Sequence, residues 1–126
     1  MERLRAAAVA ELGKAPESEA EKLVVTGGTA TSLPVVVARH NPPDVLTTHA
    51  LLAAEERLDS APAETLAAEF ELPIQRVRAL RAGVEILLLL LDFYGLHSLH
   101  VSHEGLRHGM LLAWVERGDD WWRAER

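Results

Sequence analysis

The segment Val24-Val25-Thr26-Gly27-Gly28-Thr29-Ala30-Thr31-Ser32 carries the strongest chemical signal in the sequence. A β-branched run ends in two glycines, and hydroxyl residues then open a helix. Glycine lets backbone approach a ligand closely, and a helix start offers unpaired N–H groups with a partial positive charge. With hydroxyls from Thr29 or Thr31, the segment predicts a phosphate cradle. It lacks the Gly-Lys-Ser/Thr of a Walker A loop and the spacing of a dinucleotide fingerprint. A plain glycine turn with a threonine-capped helix is the competing reading.

Other residues compete for a chemical role. Arg76, Arg78 and Arg81 lie close together on one predicted helix, and Arg107 and His108 open another. Guanidinium forks match phosphate oxygens, although such rows usually form solvated faces with acidic partners. His97, His100 and His103 are three apart around a predicted strand, so neighbours in the series point to opposite faces and make a poor metal site. His103 to His108 has one residue too many for His-Glu-x-x-His. Trp114, Trp121 and Trp122 read as packing residues. No nucleophile elbow or paired catalytic carboxylates can be recognised.

Composition limits the setting. The 126 residues include 13 basic and 19 acidic side chains, a net charge of −6, with 48% hydrophobic residues and no cysteine. That excludes a thiolate nucleophile, a disulfide framework and cysteine-bound metal. The acidic balance argues against a nucleic-acid groove, since phosphate backbones demand a broad basic surface. The longest apolar stretch, Ile86 to Leu91, falls far short of the ~20 residues of a membrane span. No secretory leader is recognisable, so a cytoplasmic location is expected.

The elements that would position these residues follow from periodicity and breakers. Residues 1–13 predict a helix closed by Gly13 and Pro16, and Leu23 to Val25 a buried strand. Ala30 to His40 predicts a helix with Pro34 in its first turn and Thr29, Thr31 or Ser32 as cap. After the break at Asn41-Pro42-Pro43-Asp44, Thr47 or Thr48 caps a helix that turns Leu51, Leu52, Ala54 and Leu58 inward. A short helix runs from Ser60-Ala61-Pro62 to about Phe70. Pro73 opens the longest, Ile74 to about Tyr94, ended by Gly95. Ser98 to Ser102 alternates as a second strand, and Glu104 to about Glu116 is helical. Two strands joined by a helical crossover are parallel. So thin a sheet leaves open edges, which predicts completion by something outside these residues.

Three segments in this order carry a family resemblance: Val25-Thr26-Gly27-Gly28-Thr29-Ala30-Thr31-Ser32-Leu33, then Arg81-Ala82-Gly83-Val84-Glu85-Ile86, then Leu99 to Leu111, which includes Val101-Ser102 and Gly105-Leu106-Arg107-His108-Gly109. They resemble the later part of the exopolyphosphatase and guanosine pentaphosphate phosphohydrolase proteins, the Ppx/GppA family, over about Leu23 to Leu112. The resemblance implies an α/β fold: a partial ribonuclease-H-like (actin-like ATPase) domain, helix-rich, with two short parallel strands. Residues 22–117 would form the C-terminal domain portion, 1–21 a helix and linker, and 118–126 a charged, tryptophan-containing tail.

The resemblance also implies chemistry: Mg²⁺-assisted attack of water on a terminal phosphoanhydride in a cleft between two domains. Gly27, Gly28, Thr29 and Thr31 would line the phosphate side, Arg81 would be an anion contact, and Arg107 would help to hold the closing helix. Polyphosphate or a guanosine polyphosphate would be the substrate. Gly83 replaces the family's usual aspartate, His108 its glutamate, and Thr47 stands near a common glycine. The family's early Asp-x-Gly-Ser loop, catalytic glutamate and triple-glycine loop have no counterpart here. Mg²⁺ would therefore be liganded mainly outside this chain, and a C-terminal fragment or truncated relative is expected. It would be inactive until joined to an N-terminal half, and that missing half or a homodimer partner is its expected protein partner. The alternative is a non-catalytic binding or assembly module that senses phosphorylated nucleotides.

Overall fold

Valine and leucine in the run after residue 22 form β1 (Leu23–Val25), and the chain then turns through Gly27 into α2 (Gly28–Val37). The structure is a computed structural model and describes residues 2–15 and 19–123. Before β1 comes α1 (Glu2–Leu12). It ends where the Gly13 N–H bonds the Val9 carbonyl at 2.9 Å. The expected stop at Pro16 and the last tail residues lie outside the described residues. The remaining elements are β2 (Val45–Thr47), α3 (Thr48–Asp59), α4 (Ala63–Phe70), α5 (Ile74–Phe93), β3 (Ser98–Val101), α6 (Leu106–Arg117) and a 3-10 turn at Gly118–Asp120.

The sheet has three strands in the order β1-β3-β2. The parallel pair was legible: β1 runs beside β3 with Leu23 opposite Leu99 and Val25 opposite Val101. The third strand corrects the two-strand expectation, because β2 pairs antiparallel to β3, Leu46 opposite Leu99. With three residues it is too short to show alternation in sequence, and only pairing with β3 makes it a strand. Its one inward residue, Leu46, is fully buried.

The core lies between this sheet and the helices. Leu33 of α2, Leu51 and Leu58 of α3, Leu66 of α4, and Val77, Leu80 and Val84 of α5 have no exposure, as does Leu99 of β3. Burying each such side chain stabilises by about 1.5–3 kcal/mol, which lets the fold dispense with disulfides. Among the described residues, no helix is long and apolar enough to cross a membrane.

Several local expectations are corrected. Leu52 stays 45% exposed although Leu51, Ala54 and Leu58 turn inward. Adjacent positions lie about 100° apart on a helix, and α3 turns the Leu51 side rather than the Leu52 side to the core. Helix α2 starts two residues early, so Pro34 is its seventh residue, buried inside the helix, and no side chain caps its start. Thr47 does cap α3, its hydroxyl accepting from the Ala50 N–H at 3.1 Å. Trp114 and Trp122 are not packing residues but 49% and 65% exposed. The Trp114 indole instead donates to Asp119 Oδ1 at 3.2 Å.

Candidate functional site

The turn between β1 and α2 depends on backbone that only glycine adopts readily. Gly27 has φ 94° and ψ −178°, where an L side chain is strained. It redirects the chain so that α2 starts beside the end of β3. Two bonds fix the junction: the Ser102 N–H donates to the Val25 carbonyl at 2.8 Å, and the Thr26 hydroxyl donates to the Glu104 carbonyl at 3.0 Å. Thr31 turns back on its own helix, with both its N–H and its hydroxyl donating to the Gly27 carbonyl, at 3.0 and 3.1 Å. The first N–H groups of α2, from Gly28 to Ala30, have no acceptor one turn back.

A cavity of about 560 Å³ opens at this helix start, lined by Thr26, Gly27, Gly28, Thr31, Arg76, His103, Gly105, Leu106, Arg107 and His108. Among the described residues its lining carries two arginines and two histidines and no carboxylate. Arg76, in the first turn of α5, lays its guanidinium against Gly28 where a Cβ would otherwise stand. Among the described residues Arg76 makes no ion pair or side-chain hydrogen bond. A guanidinium held at the positive end of a helix is unfavourable unless an anion joins it. Arg107, likewise without an ion pair among the described residues, supplies a second guanidinium. His108 closes the rim, its Nδ1 accepting the Gly105 N–H at 3.2 Å. His103 lies 3.9 Å from Asp44.

The structure brings Gly27, Gly28 and Thr31 together at the cavity. Thr29 is not among its lining residues; its methyl packs where a Cβ on Gly83 would stand. Thr29 thus fills the space left by the glycine at the position where the resembled family usually carries aspartate. Arg81 also stays away from the cavity. It donates through Nε to the Leu58 carbonyl at 2.9 Å and through Nη2 to the Ala61 carbonyl at 3.0 Å, so it ties the end of α3 to α5. Arg78 pairs with Glu64 at 2.7 Å. Arg76 and Arg81 are five positions apart, about 140° around the helix, so at most one could face the glycine turn. The sequence held that angle but not the rotation of α5 against α2.

The lining groups do not suit Mg²⁺, which takes hard oxygen ligands, carboxylates above all. Among the described residues no three His, Asp or Glu side chains are grouped to hold a metal ion. The arrangement can hold an anion, through helix N–H groups and two guanidinium forks.

No protein-family model matches the chain, and no curated protein matches it. Solved structures do. A crystal structure of the Aquifex aeolicus member of the Ppx/GppA family is similar over 94% of this chain and 41% of its own, with a TM-score of 0.80 and 26% identity. A type II crystal structure of the Aquifex aeolicus Ppx/GppA phosphatase gives a TM-score of 0.76 and 25% identity over 89% of this chain and 40% of its own. The chain spans about two-fifths of the length of these structures. It shares their actin-like, ribonuclease-H-like fold, in a helix-rich form with a small mixed sheet.

Proposed function

We propose that this chain, built on the Ppx/GppA fold, supplies one wall of an anion cleft in a phosphoanhydride hydrolase acting on polyphosphate or a guanosine polyphosphate. The observation that carries this reading is the Arg76 guanidinium set over Gly28 at the unpaired start of α2, with no acidic partner among the described residues. Gly27 and Gly28 present backbone N–H groups to a terminal phosphate, Thr31 closes the turn behind them, and Arg76 and Arg107 neutralise non-bridging oxygens. Fixed positive charge of this kind stabilises the charge that builds on a phosphoryl group in transfer.

The wall does not hydrolyse alone. No carboxylate is among the described residues that line the cavity, and its donors do not suit Mg²⁺. A carboxylate base and the ligands for a metal would come from a strand-bearing remainder joined at the free edge of β1, and such a metal would supply Lewis-acid polarisation of the phosphoryl group. Titration calorimetry with tripolyphosphate tests the wall itself. Wild type binds, Arg76→Ala loses about tenfold in affinity or more, since a hydrogen bond to a charged group contributes about 1.5–3 kcal/mol, and Arg81→Ala keeps full affinity. Equal losses from both variants, or none from Arg76→Ala, refute the assignment.

The lack of a carboxylate among the described residues lining the cavity favours a second reading, a binding or assembly module that senses phosphorylated nucleotides without turnover. Competition between guanosine tetraphosphate and tripolyphosphate separates the two. A strong preference for the nucleotide, with no phosphate release even after the remainder is added, supports the sensor.

A further inference from the structure

Gly105 is the N-cap of α6 and His108 its third residue, the place where a capping box carries Glu or Gln. The Gly105 N–H donates to His108 Nδ1 at 3.2 Å, so Nδ1 is an acceptor and carries no hydrogen. A neutral imidazole then holds its one N–H on the other ring nitrogen. That nitrogen, Nε2, makes no hydrogen bond or ion pair among the described residues, and His108 lines the anion cavity with Arg76 and Arg107. The two nitrogens of the ring point in diverging directions, so the Nε2–H is turned away from the Gly105 backbone.

We infer that His108 is a specificity-determining residue of this site, an uncharged donor that gives its Nε2–H to an oxygen of the bound phosphate while its Nδ1 holds the start of α6. The role rests on the anion reading of the cavity. It differs in kind from that of the arginines, because a guanidinium attracts any anion by charge, whereas a neutral N–H contributes only when aligned with an acceptor. His108 therefore adds direction more than attraction. Capping α6 needs only an acceptor, and the glutamate usual at this position in the resembled family would serve as well. An ionised carboxylate, however, is acceptor-only and repels an oxyanion. Histidine keeps the acceptor that the Gly105 N–H requires and makes the other side of the group a donor, which suits a phosphate and not a cation. One ring thus joins the bound anion to the first turn of α6.

Long-range proton–nitrogen NMR of the full chain reads the two ring nitrogens separately. In the free protein at neutral pH, His108 shows its hydrogen on Nε2 and none on Nδ1. Added tripolyphosphate shifts Nε2 and slows exchange of its hydrogen, while His100 on β3, which does not line the cavity, stays unmoved. Titration calorimetry with tripolyphosphate then separates donating from capping. His108→Ala loses both and binds about two- to tenfold more weakly, the worth of one uncharged hydrogen bond. His108→Gln, whose amide accepts at one atom and donates at the other, recovers most of that loss. His108→Glu keeps the cap, with unchanged circular dichroism, and binds more weakly than His108→Ala. Hydrogen on Nδ1, an Nε2 signal unmoved by an anion that binds, or equal affinities for His108→Glu and His108→Gln overturn the role while leaving the anion site in place. A wild-type chain that does not bind tripolyphosphate overturns the anion reading and this role with it.

Discussion

Replacing Gly28 by alanine should make the protein more stable and a poorer anion binder at once. The new Cβ would occupy the place of the Arg76 guanidinium. That group is the far end of a flexible, exposed side chain, so it swings aside and the fold survives. Gly28 is not at positive φ, so alanine meets no backbone strain and reduces the freedom of the unfolded chain. The helix then gains up to roughly 0.5–1 kcal/mol. For a chain of this size that raises Tm by about 2–5 °C. The displaced guanidinium takes with it one charged hydrogen bond to the anion, about 1.5–3 kcal/mol, so Kd for tripolyphosphate rises about tenfold to hundredfold. Thermal melts and calorimetry on the same sample read both effects. A double-mutant cycle isolates the cause: in an Arg76→Ala background, Gly28→Ala should cost almost no further affinity. Undiminished binding by Gly28→Ala, or full additivity with Arg76→Ala, would refute the argument that Gly28 exists to seat Arg76.

Further outcomes follow from other contacts. Arg81→Ala should lower Tm while leaving tripolyphosphate affinity unchanged, because it frees the Leu58 and Ala61 carbonyls; melts and calorimetry check it. Gly83→Asp, which restores the residue usual in the resembled family, should push on the Thr29 methyl and lower Tm, with Thr29→Ala as a second change recovering part of the loss. Burial first, then the negative charge of Glu85, holds the Glu55 carboxyl above its ordinary value. A carboxyl raised on folding adds stability below its unfolded value and loses it as pH rises through the folded one. Glu55→Gln should therefore raise Tm at pH 7 and change it less near pH 4; an equal gain at both would refute the burial argument.

Local chemistry made much of this fold readable. The β-branched run at Leu23 to Val25, the Gly27-Gly28 turn, Thr47 as a cap and Gly95 as the end of α5 each follow from what one residue does to its own backbone. Thr47 has its hydroxyl on an unpaired N–H, and Gly95 sits at φ 64°, as a helix stop requires. Strand β2 was hidden because three residues carry no period of their own, and the outward turn of Leu52 because helical spacing leaves the position of the core open.

The chain by itself determined that an anion cradle of glycine backbone and helix N–H groups could form at residues 27–31, since those properties are local to a few dihedral angles. Only the packing of α5 against α2 decided that Arg76, rather than Arg81, stands at that cradle, and only the geometry around Gly83 turned Thr29 away from it. A helix fixes the angles among its own side chains. Which angle faces a neighbour is settled by how two helices and a sheet share one core.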